Sequence, residues 1–194
     1  RALSDVMAAT IDAALEVAAR GVALPPIAVI AMGRWGGREI SYASDADAMF
    51  VLADSDDPDA LANAGTVLSR LRSLLAQPGP DPALSIDIDL RPEGKRGAMV
   101  RSLTSYRTYY ERWSATWEAQ ALLRAAPGAG DSALAEELLS AVSGVRYPAQ
   151  GLSRSQVHEI RKLKARMEVE RIPRGSDPSR NTKLGPGGLS DVEW

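Results

Sequence analysis

Apolar residues change their period several times along this chain, and each change marks an element. Leu3, Met7, Ile11, Leu15 and Ala18 fall at helical spacing with acidic residues between them, which predicts an amphipathic helix over 2–20. Gly21 and Pro25-Pro26 stop it. An unbroken apolar run, Ile27 to Met32, predicts a first strand, and a second run predicts another over 46–53. Residues 38–42 form the loop approach to it. Asp57-Pro58 then offers an N-cap and a proline at the first helical position. The helix it opens carries Leu61, Ala64, Leu68, Leu71 and Leu75 on one stripe, which must cover a sheet face. The acidic turn from Asp54 to Asp59 reads as a solvated cap, and the proline-rich stretch from Gln77 to Pro82 breaks the chain.

Leu84-Ser-Ile-Asp-Ile-Asp-Leu90 alternates strictly over seven positions. It predicts a strand with Ser85, Asp87 and Asp89 on one face. Glu93 to Val100 comes next as a glycine-containing hairpin or loop that exposes Lys95 and Arg96. Thr104 is expected to cap a long helix running to Arg124, with Tyr106, Tyr109, Tyr110, Trp113 and Trp117 in the core. Pro127 to Gly130 reads as a breaker, and Asp131 as the cap of a helix ending at Val142. Ser153-x-x-Gln156 is a capping box. The helix after it buries Val157, Ile160, Leu163 and Met167, and its outer face bears Arg154, Arg161, Lys162, Lys164, Arg166 and Arg171. Such a charge run is ordinarily a solvated face; beside a nucleotide site it also attracts a triphosphate or an acidic partner. Ile172 to Gly188 is a loop rich in Pro, Gly and Ser.

Composition narrows the chemistry. The 194 residues suffice for one large domain or two small ones. A formal net charge of −2 argues against a general nucleic-acid binder. There is no cysteine, so disulfides, thiol nucleophiles and zinc–thiolate sites are excluded, and the lone His158 excludes a multi-histidine metal site. His158 itself is expected to be structural or exposed. No apolar run reaches membrane-spanning length and no signal-peptide pattern opens the chain, so no membrane partner is expected and the cytoplasm is the default location. The absence of an initiating methionine and the stop at Trp194 suggest a piece of a longer protein.

The chemistry concentrates between Ile27 and Leu52. Gly33, Gly36 and Gly37 come after the first strand, and Ser44-Asp45-Ala46-Asp47 leads into the second. Period-two alternation points Asp45 and Asp47 the same way, one pleat apart. Neighbouring carboxylates repel, and a hard divalent cation relieves them most directly, usually together with substrate phosphates. Glycines let backbone N–H groups approach a phosphate closely. These residue types predict a metal-dependent nucleotide site. The spacing fits neither a dinucleotide-binding fingerprint nor a P-loop.

The string GRWGGREISYASDADAMF resembles the glutamine synthetase adenylyltransferase family, G-K-L-G-G-x-E-L-x-Y-x-S-D-x-D-L-x-F, within the DNA polymerase β-like nucleotidyltransferase superfamily. Arg34, Trp35 and Ala48-Met49 depart from that pattern. The family's third carboxylate lies on a strand reading V-D-x-R-L-R-P, and aligning on Leu90-Arg91-Pro92 brings Asp87 onto it. Asp89 stands where the family has arginine, and either helps to hold metal or faces solvent. Further matches are Trp113-x-x-x-Trp117-Glu118-x-Gln120-Ala-Leu-x-Arg124 and Lys183…Gly187-Gly188-x-x-Asp191-x-Glu193; a Gly-Gly turn with Asp191 capping the next helix is a plainer reading of the last block, and the two are compatible.

The resemblance implies an α+β fold: a small mixed sheet with flanking helices over 1–103, then a helical region, the start of a bundle, over 104–194. It implies Asp45, Asp47 and Asp87 as catalytic metal ligands for Mg2+. ATP phosphates would be held by Gly36, Gly37, Ser44, Arg91 and Lys183, although a lone arginine after a strand is more often an ion-pair partner. It further implies AMP transfer from ATP to a tyrosine hydroxyl of glutamine synthetase, with a PII-type signalling protein as a second partner. The alternatives are the adenylyl-removing half of the same family, which releases ADP with phosphate, and a non-catalytic ATP-binding module.

Overall fold

Two neighbouring strands carry so many apolar residues because both of their faces are covered. The computed structural model describes residues 1–42, 44–80, 83–172, 175 and 177–193. Pro82, in the expected breaker, and Trp194 lie outside them. Strand β1 (Ile27–Ala31) pairs antiparallel with β2 (Ala46–Leu52), Ile27 opposite Leu52 and Ala31 opposite Ala48. Ile27, Val29, Ala31, Ala48, Phe50 and Leu52 face one core layer, which includes α1 (Ala2–Ala19) and α3 (Ala60–Leu75). Ala28, Ile30, Met49 and Val51 face the other, filled by α4 (Leu103–Arg112), α5 (Thr116–Leu122) and α6 (Ser132–Ala141). Strands buried on both sides lose their polar alternation and read as continuous runs.

The chain forms two compact units, Arg1–Tyr147 and Pro148–Trp194, so α4 to α6 belong to the same unit as the sheet. In that first unit the sheet order is β3 (Ile86–Asp87), β2, β1, β5 (Ala126–Gly130). The free edge of β2 is shared end to end by two parallel partners. β3 (Ile86–Asp87) pairs with Ala46 and Asp47, and β4 (Val100–Ser102) with Phe50 to Leu52.

Several expectations are corrected. The strand expected over 84–90 shortens to the two residues of β3, because the chain turns at once: Asp89 N–H donates to Asp87 Oδ1 (2.7 Å), and Arg91 N–H to the Ile88 carbonyl (3.2 Å). The breaker at Pro127 to Gly130 belongs to β5 (Ala126–Gly130), an edge strand antiparallel to β1 with a bulge opposite Val29/Ile30. Proline is tolerated on an edge, where no ladder partner needs its missing N–H. Gly128 is required there, since a Cβ would lie 2.9 Å from the Trp35 ring and 3.0 Å from the Val29 carbonyl. The long aromatic helix is two helices, α4 and α5, broken at Trp113–Ala115. Tyr106 and Tyr110 are core residues as expected, but Trp113 is 63% exposed. Leu61 is exposed as well, since α3 begins at Ala60 and buries Ala60, Ala64, Val67, Leu68 and Leu71. The glycine loop holds one helical turn, α2 (Gly33–Gly36).

The first unit also contains α7 (Ser143–Arg146). In the second unit, α8 (Arg154–Glu170) has the predicted capping box: Ser153 Oγ accepts from Gln156 N–H and Gln156 Oε1 from Ser153 N–H. Val157, Ile160, Leu163 and Met167 are half-buried, while Arg154, His158, Arg161, Lys162, Arg166 and Arg171 are exposed. Lys164 pairs with Glu168 and with Asp191 of α9 (Leu189–Glu193), whose Oδ2 accepts the Gly187 N–H at 2.7 Å. Gly187, at φ +74°, makes the Gly-Gly turn, and Asp191 braces it from inside the next helix. Among the described residues no helix is long and apolar enough to cross a membrane.

Helix α4 is capped from outside itself. Ser102, not Thr104, is the N-cap residue, accepting from Ser105 N–H, while Asp54 accepts both the Thr104 N–H (3.1 Å) and its hydroxyl (2.7 Å). Burial works to raise the Asp54 pKa, but these hydrogen bonds outweigh it and hold the carboxyl below 3.8. A depressed folded-state pKa stabilises above the unfolded value and loses its effect as pH falls through the folded one. Asp54→Ala is therefore expected to cost at most about 1 kcal/mol at neutral pH. The gap to the unmodified protein should close as urea melts are repeated below pH 3.8; a gap independent of pH contradicts the cap.

Candidate functional site

The start of β2 is where the core layer behind α4 and α6 runs out of apolar residues. Met49 and Val51 fill that face, and two residues earlier the same alternation puts Asp47 on it. Asp87 reaches the same side because Ile86 and Ile88 point into the opposite layer and Asp47 is paired with Asp87 in register. The structure brings Asp45, Asp47 and Asp87 together, with one carboxylate oxygen from each within 4.8 Å of the others. Asp45 is exposed, and Asp47 and Asp87 are half-buried. Among the described residues this is the only group of three or more acidic or histidine side chains so arranged.

Three carboxylates at this separation repel one another at neutral pH, and the backbone keeps them together nonetheless. Met32 N–H donates to the Asp47 carbonyl (2.8 Å), and Ala46 N–H to the Ser85 carbonyl (2.8 Å), which fixes both strands at the cluster. Hard oxygen donors from three directions suit a divalent cation such as magnesium, which takes a few carboxylates and completes its shell with water or phosphate.

Gly33 was not among the predicted site residues, although its position in the glycine loop was the available signal. It sits at φ +51°, and a Cβ there would lie 2.3 Å from Asp47 Oδ2. Its missing side chain is the space that the Asp47 carboxylate occupies. The N–H groups of Gly36 and Gly37, expected at phosphate oxygens, donate here inside the helical turn, to Met32 O (2.9 Å) and Gly33 O (3.1 Å). A Cβ on Gly36 would stand 2.0 Å from the Arg124 carbonyl, so that glycine is a packing requirement.

Ser44 lies in the turn before Asp45, its hydroxyl 3.1 Å from the Ser41 hydroxyl and accepting from Ser41 N–H at 3.3 Å. Arg91, expected to reach phosphate oxygens, is 5% exposed. It donates to the carbonyls of Ile88 (2.7 Å), Gly97 (3.0 Å) and Lys95 (3.1 Å), winding the loop between β3 and β4 around its guanidinium. Asp89 is not part of the carboxylate cluster; it faces Lys95 at 3.2 Å and Arg91 at 3.8 Å. Lys183 is exposed on the second unit, its N–H held by Asn181 Oδ1.

Gly33→Ala is expected to cost about 1–2 kcal/mol for a left-handed alanine, read from urea melts. It should also displace the Asp47 carboxylate and weaken divalent-cation binding in calorimetric titration; unchanged stability and binding together would contradict the assigned role.

The family model described as glutamate-ammonia ligase adenylyltransferase matches residues 1–141 of this chain. The whole chain aligns with curated proteins named bifunctional glutamine synthetase adenylyltransferase/adenylyl-removing enzyme. It is 62% identical over 195 residues to the one from Cutibacterium acnes, 53% over 200 to that of Streptomyces avermitilis, and 50% over 204 to that of Mycobacterium tuberculosis. In each case all of this chain aligns with 20% of the relative, so the chain spans about a fifth of their length. With the family model covering its whole sheet and an acidic triad built on that sheet, the chain belongs to the glutamate-ammonia ligase adenylyltransferase family.

Proposed function

We propose that this chain carries a magnesium-dependent nucleotidyltransferase site that moves AMP from ATP to a tyrosine hydroxyl of glutamine synthetase. The convergence of Asp45, Asp47 and Asp87 carries the proposal, since family members are named for adenylyl transfer and the three carboxylates offer hard oxygen ligands side by side on the sheet. Asp45 and Asp47 would hold the cations against the ATP phosphates, with Asp87 as the third ligand. Magnesium bound there supplies charge neutralisation for the phosphates and acidifies an attacking hydroxyl.

The chain's own groups do the rest. Asp87, whose Oδ1 accepts the Asp89 N–H, would accept the tyrosine proton. Ser44 Oγ accepts from Ser41 N–H and lies 3.1 Å from the Ser41 hydroxyl; with Ser41 as the donor in that contact, the Ser44 proton would go to a phosphate oxygen. Lys183 is the proposed cation of the second unit. Transfer is favoured over removal because the segment Trp117-Glu118-x-Gln120-Ala-Leu resembles the transferase half of the family. A cytoplasmic location and a PII-type regulatory partner belong to the same proposal.

The test uses the longer protein that carries this chain, with ATP labelled at the α phosphate, glutamine synthetase and magnesium. Label on a synthetase tyrosine is expected. Asp45→Asn and Asp47→Asn should each reduce labelling on the order of 10²–10³-fold, the scale of losing a preorganised electrostatic contact, while circular dichroism stays unchanged. Near-normal transfer by either variant contradicts the metal assignment. Phosphate-dependent ADP release from modified synthetase, lost in the same variants, would assign the adenylyl-removing reaction instead, and ATP binding with neither activity a non-catalytic module.

A further inference from the structure

Among the described residues of the first unit Glu118 is the most deeply buried carboxylate, 1% exposed, and the proposed chemistry does not use it. Its Oε1 accepts the Glu93 N–H (2.8 Å) and its Oε2 the Ala115 N–H (2.8 Å). The Tyr109 hydroxyl lies 2.9 and 3.1 Å from the two oxygens. All three partners are donors, which an acceptor-only carboxylate satisfies and an amide does not. Burial, then the hydrogen bond to Glu118, pushes the Tyr109 pKa up to about 12, so this hydroxyl keeps its proton at neutral pH.

The Glu93 end of this network leads back to the acidic triad. β3 pairs with β2 for only two residues, so beyond Asp87 no ladder fixes the chain. There the loop from Ile88 to Gly97 begins, wound on Arg91, and its Asp89 N–H grips Asp87 Oδ1 at 2.7 Å. Glu93 sits in the loop at φ +65°, a left-handed conformation that a non-glycine residue holds only when its surroundings enforce it. Glu118 takes its N–H, and Arg101 pairs with its side chain. The loop is thereby fastened to α5 and to β4.

We propose that Glu118 is a positioning residue for the carboxylate site: by holding the Glu93 N–H it fixes the loop Ile88 to Gly97, and through that loop the direction of the Asp87 carboxylate. The proposal rests on Asp45, Asp47 and Asp87 being a metal site, and its test separates the two. Manganese binding to the full protein is monitored by electron paramagnetic resonance without nucleotide, alongside thermal melting. The Mn2+ that Asp87→Asn removes is the ion at this site; if Asp87→Asn removes none, the site assignment fails and the role of Glu118 with it.

Given that ion, Glu118→Gln is expected to bind it about tenfold more weakly while still melting cooperatively, the scale seen when a group supporting a metal ligand is lost. A folded Glu118→Gln protein with unchanged Mn2+ affinity overturns the proposal. If the glutamine variant does not fold, Glu118→Asp carries the test, since a carboxylate one methylene shorter stays acceptor-only and draws back from the Glu93 N–H. An affinity loss of about threefold, the scale of one modest hydrogen bond, supports the proposal, and unchanged affinity overturns it.

Discussion

The repulsion among three carboxylates at one corner of a sheet is the constraint that the first unit is built to withstand. Asp45, Asp47 and Asp87 each offer an oxygen within 4.8 Å of the others, and charges so close favour separation in the absence of a cation. What opposes separation is backbone: the β1–β2 ladder, the short parallel pairing of β2 with β3, and the Met32 N–H on the Asp47 carbonyl. None of these bonds involves a carboxylate, so the triad can change its charge or its ligands without loosening the strands that carry it.

Close approach around that corner of the sheet is made possible by omitted side chains. Gly33 leaves room for the Asp47 carboxylate, Gly36 lets α2 lie against the Arg124 and Ala31 carbonyls, and Gly128 admits the Trp35 ring over β5. Trp35 in turn donates its indole N–H to the Ser4 carbonyl of α1 (3.3 Å), and Asp12 of α1 accepts the Gly130 N–H of β5 (2.8 Å). The N-terminal helix is thus tied to α2 and to the edge strand beside β1. A rigid frame of this kind suits a site whose ligands must not drift apart.

The sequence showed most clearly those features that depend on periodicity. The apolar runs of β1 and β2, the one-sided spacing of Asp45 and Asp47, and the capping box of α8 all arise from side-chain period or cap chemistry alone. Asp87 was legible through family resemblance, whereas its strand was overdrawn. Strict alternation from Leu84 to Leu90 cannot reveal that the Asp87 carboxylate draws the chain into a turn or that Arg91 is buried among carbonyls. β5 was hidden for a related reason. Pro and Gly mark a breaker in most contexts, and only the partner strand and the Trp35 ring make Ala126 to Gly130 an edge. Gly36 shows that glycine also serves where two backbones touch, a Cβ there standing 2.0 Å from the Arg124 carbonyl.

The most direct measurement of the central claim is an anomalous difference map from crystals of the protein soaked in Mn2+. The account predicts a peak enclosed by carboxylate oxygens of Asp45, Asp47 and Asp87, with β3 still paired to Ala46 and Asp47. Well-ordered density in which Asp87 points away from the other two, with manganese elsewhere or nowhere, would contradict it.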